Sequence, residues 1–130
     1  MTGAIQSIPA ATIASQELLK ESVMPPAASL GLNAQKLFDI ASKSSGQCWS
    51  MTSYCPVPGP VPASPANRDY QAGFTAAMML KDLLLAQQAS ASAGAATPLG
   101  AEAAQLFSLF VNSGNSAKDF SGIIKMLDGK

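Results

Sequence analysis

Histidine is absent from the 130 residues, and only two cysteines, Cys48 and Cys55, are present. The first absence removes the side chain most often used as a general base and as a metal ligand. Two thiols with no acidic cluster nearby are too few for a closed zinc site. The serines near Cys48 have no neighbouring group that could activate them as nucleophiles. We therefore predict no metal centre and assign no catalytic residue.

Charge is scarce and balanced, with 12% charged residues of which eight are basic and eight acidic. Such a composition lacks the basic patches that bind nucleic acid or an acidic membrane surface. Apolar runs fall short of the roughly 18 residues that span a bilayer, since Lys81 and Asp82 interrupt the best candidate, which begins at Phe74. The sequence predicts neither a nucleic-acid partner nor a membrane partner.

Nucleotide-binding and targeting motifs are missing as well. There is no Walker-type loop and no strand followed by GxGxxG, so any nucleotide must be shared with another domain. The N-terminus lacks both a secretory signal and an arginine-rich import pattern, which predicts a cytoplasmic protein. In that reducing compartment Cys48 and Cys55 are expected as free thiols rather than as a disulfide.

Alanine, methionine and leucine dominate the apolar 48% of the chain, whereas runs of β-branched residues are absent. These residues favour helices over strands. The length suits one domain with one core. The sequence therefore predicts a single all-α domain.

Local signals place the first helices. Pro9 is expected in the first turn of a helix that Pro25-Pro26 end after about Met24. Asn33 is a good N-cap for a second helix over 34–44.

Residues 46–69 form a proline-rich loop with prolines at 56, 58, 60, 62 and 65, which we expect to exclude helix and central strand alike. Long loops inside compact domains are usually functional or disordered. Trp49, Tyr54 and Tyr70 argue against disorder because they offer large surfaces for packing. A functional loop is the favoured interpretation, and an interdomain linker is the alternative.

A helix is predicted from Gly73 and Phe74 to about Ala93, where Gly94 ends it. Its surface is apolar nearly all round, which is typical of a buried helix. Lys81 shares a face with Phe74 and would then be a buried ammonium that needs a partner. The residues alone favour a structural pair with Asp82 or another carboxylate, although adjacent helical positions are poorly placed to pair.

The last third of the chain predicts two more helices. Thr97-Pro98 mark the start of the first, which reaches about Asn112. Ser116 and Asp119 resemble a capping box before the second. The apolar residues of these helices are interpreted as core: Leu99, Ala103, Leu106, Phe107, Phe110, Phe120, Ile123, Ile124 and Leu127.

Several segments closely resemble 3-hydroxyisobutyrate dehydrogenases, members of the β-hydroxyacid dehydrogenase family. They are LGL at 30–32, SSGQCWS at 44–50, YCPVPG at 54–59, GF at 73–74, MLKDL at 79–83, TPLG at 97–100 and KDFS at 118–121. The resemblance covers the C-terminal half of those enzymes. It implies a helical bundle like the C-terminal domain of 6-phosphogluconate-dehydrogenase-like enzymes, which follows a Rossmann domain, closes the active site and commonly forms the subunit contact.

The resemblance also implies roles for particular residues. Lys81 would reach an NAD cofactor, with Phe74 near it and Asp82 fixing the local geometry, which replaces the structural interpretation of Lys81. Ser45, Gly46 and Trp49 would line the substrate side. The choice between NAD and NADP is left open because it belongs to the Rossmann domain.

The chain departs from the family before residue 30. Counting back without gaps from 30–32, the family's catalytic lysine falls on Gln6 and its asparagine on Ala10. We therefore divide the chain into a divergent, helical segment 1–29 and a dehydrogenase C-terminal domain 30–130. Three hypotheses follow: an NAD-dependent dehydrogenase domain of valine catabolism that is inactive alone, a helical dimerisation module, or half of a split enzyme completed by a Rossmann-domain chain.

Overall fold

A computed structural model describes residues 2–21 and 23–128, together with the side chains of residues 9–18 and 23–128. Within these ranges the chain is all-α without a β-strand, which confirms the predicted class. The helices are α1 Thr2–Glu21, α2 Met24–Ser29, α3 Ala34–Ala41, α4 Trp49–Thr52, α5 Ala76–Ala93, α6 Pro98–Phe110 and α7 Ile123–Leu127.

The N-terminal region is helical, but its prolines are placed differently from the prediction. Pro9 lies inside α1 and not in its first turn. Helix α1 ends at Glu21, and Pro25 and Pro26 belong to the next helix, α2. A proline in the first turn loses no helical hydrogen bond, so this pair begins a helix instead of only ending one.

Helix α5 is the centre of the core, with α1 and α6 packed against it. Its inner face consists of Ala76, Met79, Leu83 and Ala86, which are all buried. Thr75 caps its start by accepting from Met78 N, and Gly94 ends it at a φ of 67° as predicted. The buried core of these helices includes Ala14, Met79, Leu83, Ala103, Ala104, Phe107, Phe110, Phe120 and Ile123.

The outer face of α5, defined by Ala77, Met78, Lys81, Leu84 and Gln88, is exposed. The prediction of a helix buried all round is therefore wrong. Lys81 does share a face with Met78, but that face points away from the core. An apolar residue on a helix indicates burial only when another element covers it.

The proline-rich loop contains two short helical pieces, contrary to the prediction. Helix α4 precedes the prolines, and a 3-10 turn, Pro65–Arg68, starts at the last of them. The loop is held in place by buried Tyr70, whose hydroxyl donates to Pro56 O at 2.8 Å. Asn67 also ties it, accepting from Gly59 N at 2.9 Å and donating to Val61 O. These contacts fold the loop back on itself, and Ser50 and Tyr54 tie its first part to Ile13 and Asp119, so the loop is not an extended linker.

The predicted starts of α3 and α6 are confirmed, whereas their predicted ends differ from the structure. Asn33 caps α3 by accepting from Gln35 N at 2.8 Å, although α3 ends at Ala41 and not at Ser44. Helix α6 starts at Pro98 after Thr97, as predicted, and ends at Phe110 in a wide turn over Val111–Asn115.

The predicted capping box at Ser116 is wrong. Asp119 is itself the N-cap, of a 3-10 turn over Phe120–Gly122, and its side chain is fully buried. Ser116 instead accepts a backbone hydrogen bond from Ala77 N at the start of α5. The C-terminal segment is thus joined to the beginning of α5.

Candidate functional site

A cavity of about 480 Å³ lies between α1, the start of α5 and residues 49–54, which comprise α4 and the two residues after it. We call residues 49–54 the α4 loop. Helix α1 contributes Ala10 and Ile13 to its lining. The lining is mainly apolar and aromatic: Ala10, Ile13, Trp49, Tyr54, Gly73, Phe74, Met79, Asp82 and Phe120. A concave, largely apolar site with few polar groups is typical of small-molecule and cofactor sites.

Four aromatic side chains form the wall of this cavity. Tyr54 stacks between Trp49 and Phe120, with ring centroids 5.0 Å apart on each side. Phe74 meets Phe120 edge-on at 6.1 Å. Trp49 remains 43% exposed at the outer end of the stack, and Phe120 is buried at its inner end. The stack thus runs from solvent into the core.

A buried carboxylate lies behind the aromatic wall. Oxygen Oδ2 of Asp119 accepts from Tyr54 Oη at 2.8 Å, from Gly73 N at 2.9 Å and from Phe74 N at 3.1 Å. Oxygen Oδ1 accepts from Ser121 N at 3.0 Å and Ser121 Oγ at 2.6 Å. We call Asp119 with these four donor residues the Asp119 junction. It connects the α4 loop, the start of α5 and the C-terminal segment.

The junction perturbs the titration of Tyr54. Burial raises the pKa of the Tyr54 phenol well above its usual value, and the hydrogen bond to ionised Asp119 raises it further. Arg68 opposes this change only in part. Tyr54 therefore stays a neutral hydrogen-bond donor at physiological pH.

Glu17 of α1 is a second buried carboxyl group, with its side chain fully inaccessible. Neither of its oxygens accepts a hydrogen bond from a described group. Burial raises the pKa of Glu17 well above its usual value, and the negative charge of Asp119 adds to this increase. The nearby Ser50 hydroxyl opposes the increase only weakly, because it donates to Ile13 O and not to the Glu17 carboxyl group. The arrangement favours a protonated, neutral Glu17.

Lys81 is located at the edge of this site, on the outer face of α5. Its ammonium lies 3.3 Å from Asp82 Oδ1, and its side chain is 64% exposed. The prediction of a buried lysine is wrong. The pair with Asp82 that the residues alone favoured is present, although adjacent helical positions are poorly placed for it. A long, exposed lysine side chain can bend back to its neighbour, and such a surface pair contributes little to stability.

The structure brings together only some of the residues that the sequence suggested. Trp49, Phe74 and Asp82 line the cavity. Lys81 is not on its lining but lines a separate groove on the outer face of α5, next to its ion-pair partner Asp82. Ser45 and Gly46 are exposed and do not belong to the cavity lining.

Two N-terminal positions bear on the family comparison. Ala10, the position matched to the family's asparagine, lines the cavity. Gln6, the position matched to the catalytic lysine, has a side chain outside the described part of the chain.

Sequence reasoning missed the residues behind the wall. Tyr54 and Asp119 both occur in the quoted motifs, YCPVPG and KDFS, but only a capping role was assigned to Asp119. A clue was available in Asp119, an acidic residue directly before the apolar residues Phe120, Ile123 and Ile124. Glu17 gave no comparable signal within its polar local sequence.

Among the described residues, no group of three or more histidine, cysteine or acidic side chains could hold a metal ion. Cys48 and Cys55 are not joined by a disulfide. None of the described helices is long and apolar enough to cross a membrane.

The site geometry can now be compared with known proteins. A family model described as "NAD-binding of NADP-dependent 3-hydroxyisobutyrate dehydrogenase" matches residues 9–127. The chain belongs to the 3-hydroxyisobutyrate dehydrogenase family. The match begins inside the segment 1–29 and so includes most of α1 as well as the cavity.

Individual dehydrogenases of the family give the same result. A probable 3-hydroxyisobutyrate dehydrogenase of Mycobacterium tuberculosis is 44% identical over 115 residues, which are 88% of this chain and 39% of that protein. An NAD-dependent L-serine dehydrogenase of Pseudomonas aeruginosa is 42% identical over 98 residues, 75% of this chain and 33% of its own length. The chain thus spans about two fifths or less of these relatives.

A solved structure of the M. tuberculosis 3-hydroxyisobutyrate dehydrogenase with L-serine superposes with a TM-score of 0.90 at 42% identity. The superposition covers 95% of this chain and 42% of that one. The helical arrangement described above is therefore that of one part of a larger dehydrogenase.

Proposed function

We propose that this chain is the C-terminal domain of a 3-hydroxyisobutyrate dehydrogenase, where it contacts the nicotinamide cofactor and closes over the substrate. The observation that carries the proposal is the cavity itself. Trp49 of the α4 loop lies on its lining together with Phe74 and Asp82 of the α5 side, and Lys81 is paired to Asp82 at the edge. Trp49, assigned to the substrate side from the sequence, thus shares one opening with Phe74 and Asp82, assigned to the cofactor side.

The residues present fit a nicotinamide cofactor. Phe74 and Trp49 offer flat apolar surfaces to a ring, and the partly buried Asp82 carboxylate can accept from ribose hydroxyls. The exposed Lys81 ammonium can bind a phosphate oxygen as a point charge. When bound, nicotinamide supplies hydride acceptance, whereas these residues orient it and keep water from the reacting face.

The proposed substrate class is a 3-hydroxy acid whose alcohol is oxidised to an aldehyde. Both 3-hydroxyisobutyrate and L-serine, which occur in the names of the relatives, carry a primary alcohol on the carbon next to the one that bears the carboxylate. The aromatic wall would cover the apolar part of such a molecule. Among the described residues, the cavity lining carries no basic side chain, so we expect the substrate carboxylate to be bound by a group outside this lining.

The chain alone is expected to lack turnover. The positions matched to the family's lysine and asparagine are Gln6 and Ala10, and neither an amide nor a methyl group can exchange a proton with the alcohol. Purified 130-residue protein should give no NADH formation with 3-hydroxyisobutyrate or L-serine. A dehydrogenase rate above that of a mock preparation would overturn the claim that the chain is catalytically incomplete.

Cofactor contact can be tested apart from turnover. NADH titrated into the chain should quench the emission of Trp49, the single tryptophan, with a Kd in the high micromolar to millimolar range. Lys81→Met should weaken binding by about tenfold, as expected for a charge-assisted phosphate contact. Lys36→Met, at another exposed lysine on α3, should leave binding unchanged. Absence of NADH binding, or equal loss in both variants, would contradict the proposed contact.

A second candidate function is self-association or association with a Rossmann-domain chain, which would also complete a split enzyme. The observation in its favour is the outer face of α5, where Met78 and Leu84 are 46% and 51% exposed. Sedimentation at tens of micromolar should show a dimer that Leu84→Lys converts to a monomer. A monomer in the unmodified chain would argue against self-association.

A further inference from the structure

The two sides of the cavity meet at one oxygen atom. Tyr54 comes from the α4 loop, whereas Gly73 and Phe74 precede α5, and all three donate to Oδ2 of Asp119. The loop and the helix are distant in sequence from Asp119, which lies 65 residues after Tyr54. Their relative position at this point therefore depends on the carboxylate between them.

The carboxylate is itself fixed from the other side. Ser121 donates to Oδ1 through both its backbone N–H and its hydroxyl. The Asp119 N–H donates to Tyr70 O at 2.9 Å, and the Phe120 N–H donates to Phe74 O at 3.0 Å. Asp119 thus has little freedom to follow the loop if the loop moves.

Gly73 gives independent support for a close fit. A Cβ atom added at Gly73 would lie only 2.9 Å from Tyr54 Oη and 3.8 Å from Asp119 Oδ2. The position must lack a side chain for the tyrosine hydroxyl to reach the carboxylate. Glycine here permits close approach and is not required by a positive φ.

We propose that Asp119 is a positioning residue that holds the Trp49 side and the Phe74 side of the cofactor cavity in register, acting through Tyr54. This rests on the proposed function, since it assigns the Asp119 junction a task in cofactor binding. Tyr54 transmits the constraint to Trp49 because their rings are stacked at 5.0 Å. Asp119 itself is not on the lining of the cavity.

A carboxylate is required at this position. An asparagine has one accepting oxygen and one donating NH₂, so it would present donors either to the three groups at Oδ2 or to the two at Oδ1. Only two acceptor oxygens satisfy all the donors of the junction at once. The same count explains why the charge is tolerated in a buried place, since five hydrogen bonds solvate it.

The proposal is tested with Tyr54→Phe, which removes only the hydroxyl that joins the loop to Asp119 and keeps the ring stack. Ser108→Ala is the control, because it removes a partly buried hydroxyl that donates to Ala104 O within α6 and does not belong to the Asp119 junction. Acrylamide quenching of Trp49 should rise in the first variant and stay unchanged in the second. Because Trp49 is already 43% exposed, the rise can be at most about twofold. Circular dichroism establishes that both variants are folded.

A second variant keeps the test open if Tyr54→Phe folds poorly. Gly73→Ala should push the tyrosine hydroxyl off Asp119 and raise quenching in the same direction. The double variant should quench no more than Tyr54→Phe alone, since both changes break one link. Additive effects of the two substitutions on Trp49 would contradict action through that link.

NADH titration of the same proteins gives the functional readout. Tyr54→Phe should weaken NADH binding about three- to tenfold, while Ser108→Ala binds like the unmodified chain. Unchanged quenching and unchanged NADH affinity in Tyr54→Phe would overturn the positioning role even if the unmodified chain binds NADH well. If the unmodified chain binds no NADH, the proposed function fails and with it this role in cofactor binding, whereas quenching still reports whether the link exists.

Discussion

The Asp119 junction lies behind the cavity and the outer face of α5 lies outside its lining, and the two regions differ in how far this chain itself covers their side chains. At the junction every donor meets an oxygen of a buried carboxylate, and the surrounding rings are packed against each other. On the outer face Lys81 is mostly exposed, and apolar Met78 and Leu84 lie open beside it. The groups of the Asp119 junction are thus satisfied within this chain, whereas the exposed apolar residues on the outer face of α5 are typical of a surface that another molecule covers.

The largest effect on stability is expected from removing the Asp119 carboxylate. Asp119→Ala leaves the donors of Tyr54, Gly73, Phe74 and Ser121 without their acceptor, and should lower the free energy of unfolding by about 3–5 kcal/mol. Asp39→Ala, at an exposed aspartate of α3, should change it by less than about 0.5 kcal/mol. Urea unfolding followed by circular dichroism measures both. Equal effects would mean that the junction is not a point of high stability.

Two adjacent leucines of α5 compare its faces directly. Leu83 is fully buried and Leu84 is 51% exposed. Leu83→Ala should cost about 2–5 kcal/mol, because a core cavity remains, and Leu84→Ala less than about 1 kcal/mol. The same urea titration provides the values. A cost at Leu84 that matches Leu83 and grows with protein concentration would instead indicate that the outer face is buried in a self-association.

Glu17 is a buried carboxyl group without the hydrogen bonds that Asp119 accepts, and it should make the stability of the fold depend on pH. Since its pKa is raised in the folded state, the unfolded chain loses this proton first as the pH rises above the usual value of 4.5. The contribution of Glu17 to stability is therefore best below that pH and is lost progressively from there up to its folded pKa.

Glu17→Gln should remove this pH dependence and stabilise the fold at pH 8 by on the order of 1 kcal/mol relative to the unmodified chain. Glu102→Gln, at an exposed glutamate of α6, serves as the control. Thermal unfolding from pH 4 to pH 8 provides the comparison. A variant that keeps the slope of the unmodified chain would show that Glu17 is ionised in the fold.

The smallest effect on stability is expected on the outer face. Lys81→Met breaks the pair with Asp82, but an exposed ion pair is worth less than about 0.5 kcal/mol, less still in salt. Its Tm should stay within about 2 °C of the unmodified chain. A larger loss of stability would return Lys81 to the structural role that the residues alone suggested.

The helix ends were predictable because their signals are local. Asn33 and Gly94 act on backbone groups within a few residues, so their positions follow from the sequence. Thr97 makes no side-chain capping hydrogen bond, and the start of α6 is marked instead by Pro98 at its first position. Exposure of α5 was not predictable in this way. Its apolar stripes are similar on both faces, and which of them is covered depends on α1 and α6.

The residues of the site likewise include some that sequence motifs reveal and others that only the fold brings together. Trp49, Phe74 and Asp82 were found through the motifs they belong to, and the structure places them on one cavity. Tyr54 and Asp119 were in the motifs too, but their contact spans 65 positions and no local pattern reveals it. Glu17 is buried by packing against distant elements, and its titration follows from that burial alone.

Amide chemical-shift mapping of the ¹⁵N-labelled chain with NADH tests directly whether the cavity beside the Asp119 junction binds the nicotinamide cofactor. We expect saturable shifts at Gly73, Phe74, Lys81 and Asp82 and at the Trp49 indole. Lys125, which lines a separate groove with Met24 of α2 and Ile124 of α7, should show none. Shifts confined to that groove, or no saturable shift at the cavity, would contradict the assignment of this cavity to the cofactor.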